Sequence, residues 1–262
     1  MSIILAGPWV GEFGWELFCW QAYLRYISCL GNKIVVVSRK DSYLLYKDFC
    51  YKFIDFDPIS KECDAYKCNN MTNDFSDIYN SCKFDEYYDP RKGLVYYSGD
   101  KSLCKNFYNQ TFVKYGKVGT TKAYDIILHA RSSVKCGTHF RNWGIEKWND
   151  LVGLLKNDGF SIASVGTISD ALPIEKTDNL LGADLDRVTN IMANSGIIIG
   201  PSSGPIHLAS LCGLKQVVWS EPKNKKKYLE TWNPFKTKVA FYDKDWWNPE
   251  VNVIYGFIRN IM

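Results

Sequence analysis

The stretch GIIIGPSSGPIHLASLCGLKQVVWS, residues 196–220, groups the features best suited to chemistry. An apolar strand of Ile197, Ile198 and Ile199 runs into a turn of Gly200, Pro201, Ser202, Ser203 and Gly204. A short helix follows, with Pro205 at its first position and Gly213 just past its end, the expected start and stop. A helix opening off the carboxyl end of a strand aims unpaired N–H groups above the sheet, where an anion such as phosphate is favoured. Gly204 lets a ligand approach the backbone closely. The same segment also reads as a strand-turn-helix without a ligand. Elsewhere in this half, Arg131, Gly166, Thr167 and Glu221 fall at the ends of apolar runs, Arg141 follows in a loop, and all three histidines (His129, His139, His207) lie nearby. Near the amino terminus, Glu12 and Glu16 stand one turn apart on one side of a helix, where carboxylates complement the helix dipole. Trp9 and Trp15 flank them and can pack or stack on a sugar or base.

The elements that must position these residues alternate. SIILAG (2–7) is a short strand leading into a helix that runs to about Ser28, with Phe13, Leu17, Trp20, Leu24 and Ile27 at helical spacing. Further strands near 33–38, 53–57 and 93–98 complete a first domain, 1–118, with an irregular insertion near 60–92 that could receive an acceptor. In the second domain, 119–243, YDIILHAR (124–131) reads as a buried strand. A loop with Lys135, Gly137, His139 and Arg141 precedes the amphipathic helix IEKWNDLVGLLKN (145–157). Then come the strand FSIASVG, a helix near 184–194, the Gly-Pro helix and the strand QVVWS. Strands alternating with helices predict a parallel sheet covered on both faces, with ligands beyond the carboxyl ends of its strands. The polar, Gly-bearing run YGKVGTTKA (115–123) reads as the link, and residues 244–262 as a terminal helix.

Composition narrows the class. With 262 residues, 46% of them apolar and 23% charged, the chain can bury two small cores. It has no apolar run long enough to span a membrane and no secretory leader pattern, so a cytoplasmic location is expected. Nine cysteines without a C-x-x-C pair read as reduced thiols, and Cys63 and Cys68, with no histidine nearby, argue against zinc. The net charge of +4 does not demand nucleic acid. The run Lys223, Lys225, Lys226 and Lys227 reads as a solvated loop or as a contact for an anion. The sequons at Asn70 and Asn109 carry no weight in a cytosolic chain.

The ordered pattern LHAR…RNWGIEKWNDLVGLL…SVG…IIIGPSSGPIHLASLCG resembles the carboxyl half of the family 9, heptosyltransferase-type, glycosyltransferases, over about residues 124–222. The resemblance implies the GT-B fold: two Rossmann-like parallel-sheet domains facing a cleft, with the terminal helix crossing back to the first domain. It implies transfer of a sugar from a nucleotide-sugar donor to an acceptor hydroxyl, with inversion, no metal and no cofactor. Ser203-Gly204-Pro205-Ile206-His207-Leu208 matches the family's donor-diphosphate segment, while Ser202 stands where the family has Asp. Arg131, Arg141, Gly166, Thr167, Ser202, Ser203, Gly204, His207 and Glu221 are thereby expected at the donor. Gly11-Glu12 matches a Gly-Asp pair whose acid is the family's proposed base, which assigns Glu12 that role, with Glu16 as the second carboxylate. The acceptor would be a glycan, a lipid-linked or another hydroxyl compound, with nucleic acid less favoured. Pyruvyl transfer, DNA-base glycosylation and non-catalytic glycan or nucleotide binding are the alternatives.

Overall fold

Short β-branched runs build two wholly parallel sheets in the computed structural model, which describes residues 1–56, 76–88, 90, 109–134 and 139–262. The chain divides into two units, Met1–Phe112 and Val113–Met262. In the first, β1 (Ile3–Ala6), β2 (Lys33–Ser38), β3 (Lys52–Asp55) and β4 (Glu86–Tyr88) lie in the order β3-β2-β1-β4. Central β1 and β2 are almost fully buried, which is why they read as unbroken apolar runs. From β1 the chain passes Gly7, whose φ of 122° only glycine adopts freely and whose added Cβ would stand 2.3 Å from the Val37 carbonyl oxygen. It then enters a continuous helical run: α1 (Phe13–Trp15), a π-helical turn (Glu16–Trp20) and α2 (Gln21–Cys29).

Part of the segment expected to be irregular is ordered: α3 (Ser76–Asn80) and β4 fall within 60–92. Tyr87 of β4 packs on the small cluster around Leu5, Val35 and Val37, and its hydroxyl accepts from Tyr79 at 2.8 Å. Three residues rich in tyrosine give too short a period-two signal to read alone. The rest of that insertion, the strand expected at 93–98, and Cys63, Cys68, Asn70, Cys104, Lys135, Cys136 and Gly137 lie outside the described residues.

The second unit comprises β5 (Ile126–Leu128), α4 (Ile145–Asn157), β6 (Ile162–Gly166), β7 (Asp178–Leu181), α5 (Leu185–Ala193), β8 (Ile197–Pro201), α6 (Gly204–Cys212), β9 (Lys215–Trp219), β10 (Val239–Tyr242) and α7 (Val251–Ile261). The sheet order β10-β9-β8-β5-β6-β7 is doubly wound: the chain works outward from β5 to β7, then returns to β8 on the other side of β5. The gap above β5 and β8 is therefore the topological switch point, where such sheets bind ligands. β7 and β10, absent from the sequence reading, are the edge strands; an edge needs no continuous apolar run.

Trp143, Trp148 and Trp219 pack ring against ring, with centroids 4.9–5.6 Å apart, and anchor the core of this unit. Ile254, Ile258 and Ile261 of α7 enter the same core, with the helix packed on α4 and β9. Residues 117–123 are tied to α5. Asn190 accepts from Lys117 N–H at 2.7 Å, Asn194 accepts from Gly119 N–H at 2.6 Å and donates to the Lys117 carbonyl at 2.8 Å, and Ala123 N–H donates to the Asn194 carbonyl at 2.7 Å.

Candidate functional site

The switch point of the second unit is built from two loops. After β5, His129 donates to the Val165 carbonyl through Nδ1 at 2.9 Å, and its N–H joins the Ile199 carbonyl. Complete burial lowers its pKa to about 4, so the ring is neutral. Gly166 ends β6 against this ring: its φ is 146°, and an added Cβ would lie 2.6 Å from Ala171 Cβ and 2.9 Å from His129 Nδ1. Gly166 thus serves the packing of the strand end. Thr167, exposed, donates to Asp170 at 3.0 Å. Arg131 is buried; its Nη1 donates to the Ser133 carbonyl at 2.8 Å and to Asn142 Oδ1 at 2.5 Å, tying the β5–α4 loop together.

The second loop opens α6. Ser203 is the N-cap, extended at φ −162°, and Gly213 ends the helix at φ 74°, as expected. Pro205 sits in the first turn and has no N–H, which leaves Gly204 and Ile206 as the early donors. Among the described residues, Ser203 Oγ is buried without a hydrogen-bond partner. Ser202 is buried, its N–H bonded to the Trp219 carbonyl and its hydroxyl accepting from Tyr228 at 2.9 Å. His207, expected to touch a donor, is buried under Tyr228, with the two rings stacked 4.5 Å apart and Trp232 edge-on at 4.7 Å. Burial, with the Lys227 and Arg141 charges close by, holds its pKa well below the usual value. It supports the loop as a neutral ring.

Two cations gather at this helix start. The Arg141 guanidinium lies 4.7 Å from the Trp247 ring centroid and 5.6 Å from that of Phe140, and its charge reaches both His207 and Tyr228. Among the described residues its Nε is buried without a partner. Lys227 lies over the Trp232 ring at 4.3 Å. In the same run Lys223 pairs with Glu221 at 2.8 Å, Lys225 with Asp243 at 3.2 Å and Lys226 with Glu230 at 4.0 Å. Glu221 is thus an ion-pair partner beyond the end of β9. Tyr228, Trp232 and Trp247 went unread as site residues; an aromatic spaced into a basic run, as in KKKYLETW, is the signal that marks the first two.

In the first unit the two carboxylates separate sharply. Glu12 is half-buried at the start of α1, where its carbonyl accepts from Trp15 and Glu16 N–H groups. Glu16 is fully buried. Oε1 accepts from Ser38 at 2.6 Å and Tyr46 at 2.9 Å; Oε2 accepts from Arg39 at 2.6 Å and Ser42 at 3.0 Å. Four donors fill a carboxylate's capacity, so Glu16 joins the π turn to β2 and the segment after it and has no lone pair left for a proton. Trp9 is buried and stacked on Trp20 at 5.7 Å, which makes it a packing residue. A shallow depression of about 680 Å³ between residues 119–123 and α5 lies at the amino ends of β5 and β8, away from all these residues. Among the described residues no cluster of His, Cys, Asp and Glu could hold a metal, and no helix is long and apolar enough to cross a membrane.

Two parallel sheets, each flanked by helices, are the architecture of the GT-B fold. No protein-family model and no curated protein matches the chain. Among solved structures, the chain is similar to E. coli heptosyltransferase WaaC with ADP, at 12% identity and a TM-score of 0.63, with all of both chains covered. It is also similar to the E. coli ADP-heptose LPS heptosyltransferase II, at 14% identity and a TM-score of 0.59, covering 100% of this chain and 98% of that one. The dodecameric iron-containing glycosyltransferase TibC of enterotoxigenic E. coli H10407 matches at 14% identity and a TM-score of 0.53. This chain spans 62% of the length of TibC. At these identities the likeness is one of fold.

Proposed function

We propose that the chain is a glycosyltransferase of the family 9 type, moving a sugar from a nucleoside-diphosphate donor to an acceptor hydroxyl with inversion. The observation that carries this reading is the convergence, at the switch point between β5 and β8, of the α6 helix start with Arg141 and Lys227. Backbone N–H groups, a helix dipole and two cations suit the negative charge that grows on a departing diphosphate. The Ser203 hydroxyl and Arg141 Nε, both buried and without partners among the described residues, supply donors for that anion. Arg131 contributes by holding the loop that carries Arg141.

Glu12 of the first unit is the base in this reading. It takes the proton of the acceptor hydroxyl as that oxygen attacks the anomeric carbon; the bond from that carbon to the diphosphate oxygen breaks, and the diphosphate leaves with the electron pair. Glu16 is set aside because its oxygens are fully engaged. The fold alone is compatible with other chemistry, so the assignment rests on the site. The test is a thermal-shift screen of nucleoside diphosphates and their sugars, followed by release of nucleoside diphosphate from the best donor. A ligand-dependent rise in midpoint with slow donor hydrolysis supports the reading; no shift with any nucleotide at millimolar concentration overturns it.

A further inference from the structure

We propose that Trp247 is the positioning residue for Arg141: its indole face, with the Phe140 ring beside it, holds the guanidinium ready for a diphosphate at the start of α6. The inference rests on the phosphate-site reading above and goes beyond it in naming what holds the arginine. The guanidinium carbon of Arg141 stands 4.7 Å from the Trp247 ring centroid and 5.6 Å from that of Phe140, within cation–π range. The two rings meet edge to face, with centroids 6.0 Å apart. Phe140 is exposed and Trp247 is buried. Among the described residues no carboxylate pairs with Arg141, and Trp247 Nε1 is buried without a hydrogen-bond partner. The indole is therefore kept for its face and not for a hydrogen bond.

The segment that carries Trp247 is fixed to the loop that carries Arg141. Trp143 Nε1 donates to the Pro249 carbonyl at 2.9 Å. Lys147 donates to the same carbonyl at 3.0 Å and to Asn248 Oδ1 at 3.1 Å. The Tyr242 hydroxyl donates to Asp245, and Asn248 N–H donates to the Asp245 carbonyl at 3.0 Å, which closes a turn after β10. Inside that turn Trp246 has a φ of 51°, a left-handed conformation that is costly for a bulky side chain. Its surroundings therefore impose the turn, and the turn sets the place of Trp247. An arginine that clamps an anion gives up rotamer freedom on binding; one already lying on a ring has given it up on folding. The charge of the group held in this way reaches His207 and Tyr228, which pack at the start of α6.

The probe is inorganic pyrophosphate, titrated into the full chain by calorimetry at fixed, low salt, with the folding of each variant read from its melting midpoint. The wild-type protein is expected to bind it. Trp247→Leu, which removes the aromatic face, is expected to bind about 3–10-fold more weakly, and Trp247→Phe, which restores a face, within about 2-fold of wild type. Phe140→Leu, at an exposed position that the fold tolerates, is expected to lose about 2–4-fold and takes over where Trp247→Leu does not fold. The decisive readout is the double-mutant cycle with Arg141→Ala, followed to millimolar pyrophosphate. In that background neither Trp247→Leu nor Phe140→Leu is expected to weaken binding further. A role in supporting the fold alone weakens binding by the same factor in both backgrounds. That result, or equal affinities for Leu and Phe at position 247, overturns the inference while leaving the phosphate site standing. Wild-type protein that ignores pyrophosphate overturns the phosphate-site reading and this inference with it.

Discussion

At the residue scale, the two amino-terminal carboxylates show how one pattern conceals two environments. Glu12 and Glu16 sit a turn apart, yet Glu12 is half-buried while the fully buried Glu16 carboxylate accepts from four donors. Glu12→Gln keeps shape and removes basicity. It is expected to lower turnover by about 10²-fold or more with donor affinity nearly unchanged, as read from steady-state rates and nucleotide titration. Glu16→Gln places an amide among hydrogen-bond donors and leaves Arg39 unpaired. It is expected to destabilise the protein by about 2–3 kcal/mol in a urea melt, since Arg39 is partly solvated while the carboxylate is fully buried. The histidines carry a pH signature. His129 is held neutral with its pKa near 4, below the unfolded value of 6.5, so protons bind the unfolded chain more readily between these values. Stability from this group is complete above pH 6.5 and is lost as pH falls toward 4, at up to about 1.4 kcal/mol per pH unit. His207, shifted the same way, adds to that loss. Unfolding midpoints at pH 7, 6 and 5, compared with His129→Gln, check the slope.

At the scale of elements, glycines decide where helix and strand ends meet. The β6 end tolerates no Cβ at Gly166 because Ala171 and the His129 ring fill the space. Gly166→Ala is expected to cost about 1–3 kcal/mol, visible as a lowered melting temperature. Gly204 starts α6 beside the Ser203 hydroxyl, which has no partner among the described residues. Gly204→Val is expected to fold but to lose nucleoside-diphosphate binding, since the branched side chain covers the N–H groups that the anion must reach. Unchanged affinity in the folded variant would remove α6 from the donor site. The lysine run after β9 resolves into three ion pairs, at Lys223, Lys225 and Lys226, and an aromatic contact of Lys227 with the Trp232 ring.

At the scale of the whole molecule, each unit closes its own core. The tryptophan cluster of the second unit is completed by α7, whose Ile258 is fully buried. Ile258→Ala is expected to cost about 2–5 kcal/mol, measured as the shift in denaturant midpoint at constant slope. Residues 117–123 are tied to the second unit through Asn190 and Asn194, and the chain divides after Phe112.

The sequence by itself determined the alternation of strands and helices, the buried strands β1, β2, β5, β6, β8 and β9, and the strand-turn-helix at Ser202–Gly204. These follow from local periodicity, from glycine and proline chemistry, and from the apolar runs that two-sided burial requires. It did not disclose the edge strands β4, β7 and β10, whose short pairing depends on a neighbour distant in the chain. Nor could it sort the charged and aromatic residues by role. Which carboxylate is saturated, which histidine is buried and which lysine is stacked depend on partners up to 36 residues away in sequence, as in His129 bonding Val165, Tyr46 bonding Glu16 and Tyr228 bonding Ser202. Burial and hydrogen-bond satisfaction are properties of the packed chain, and only the tertiary structure decided them.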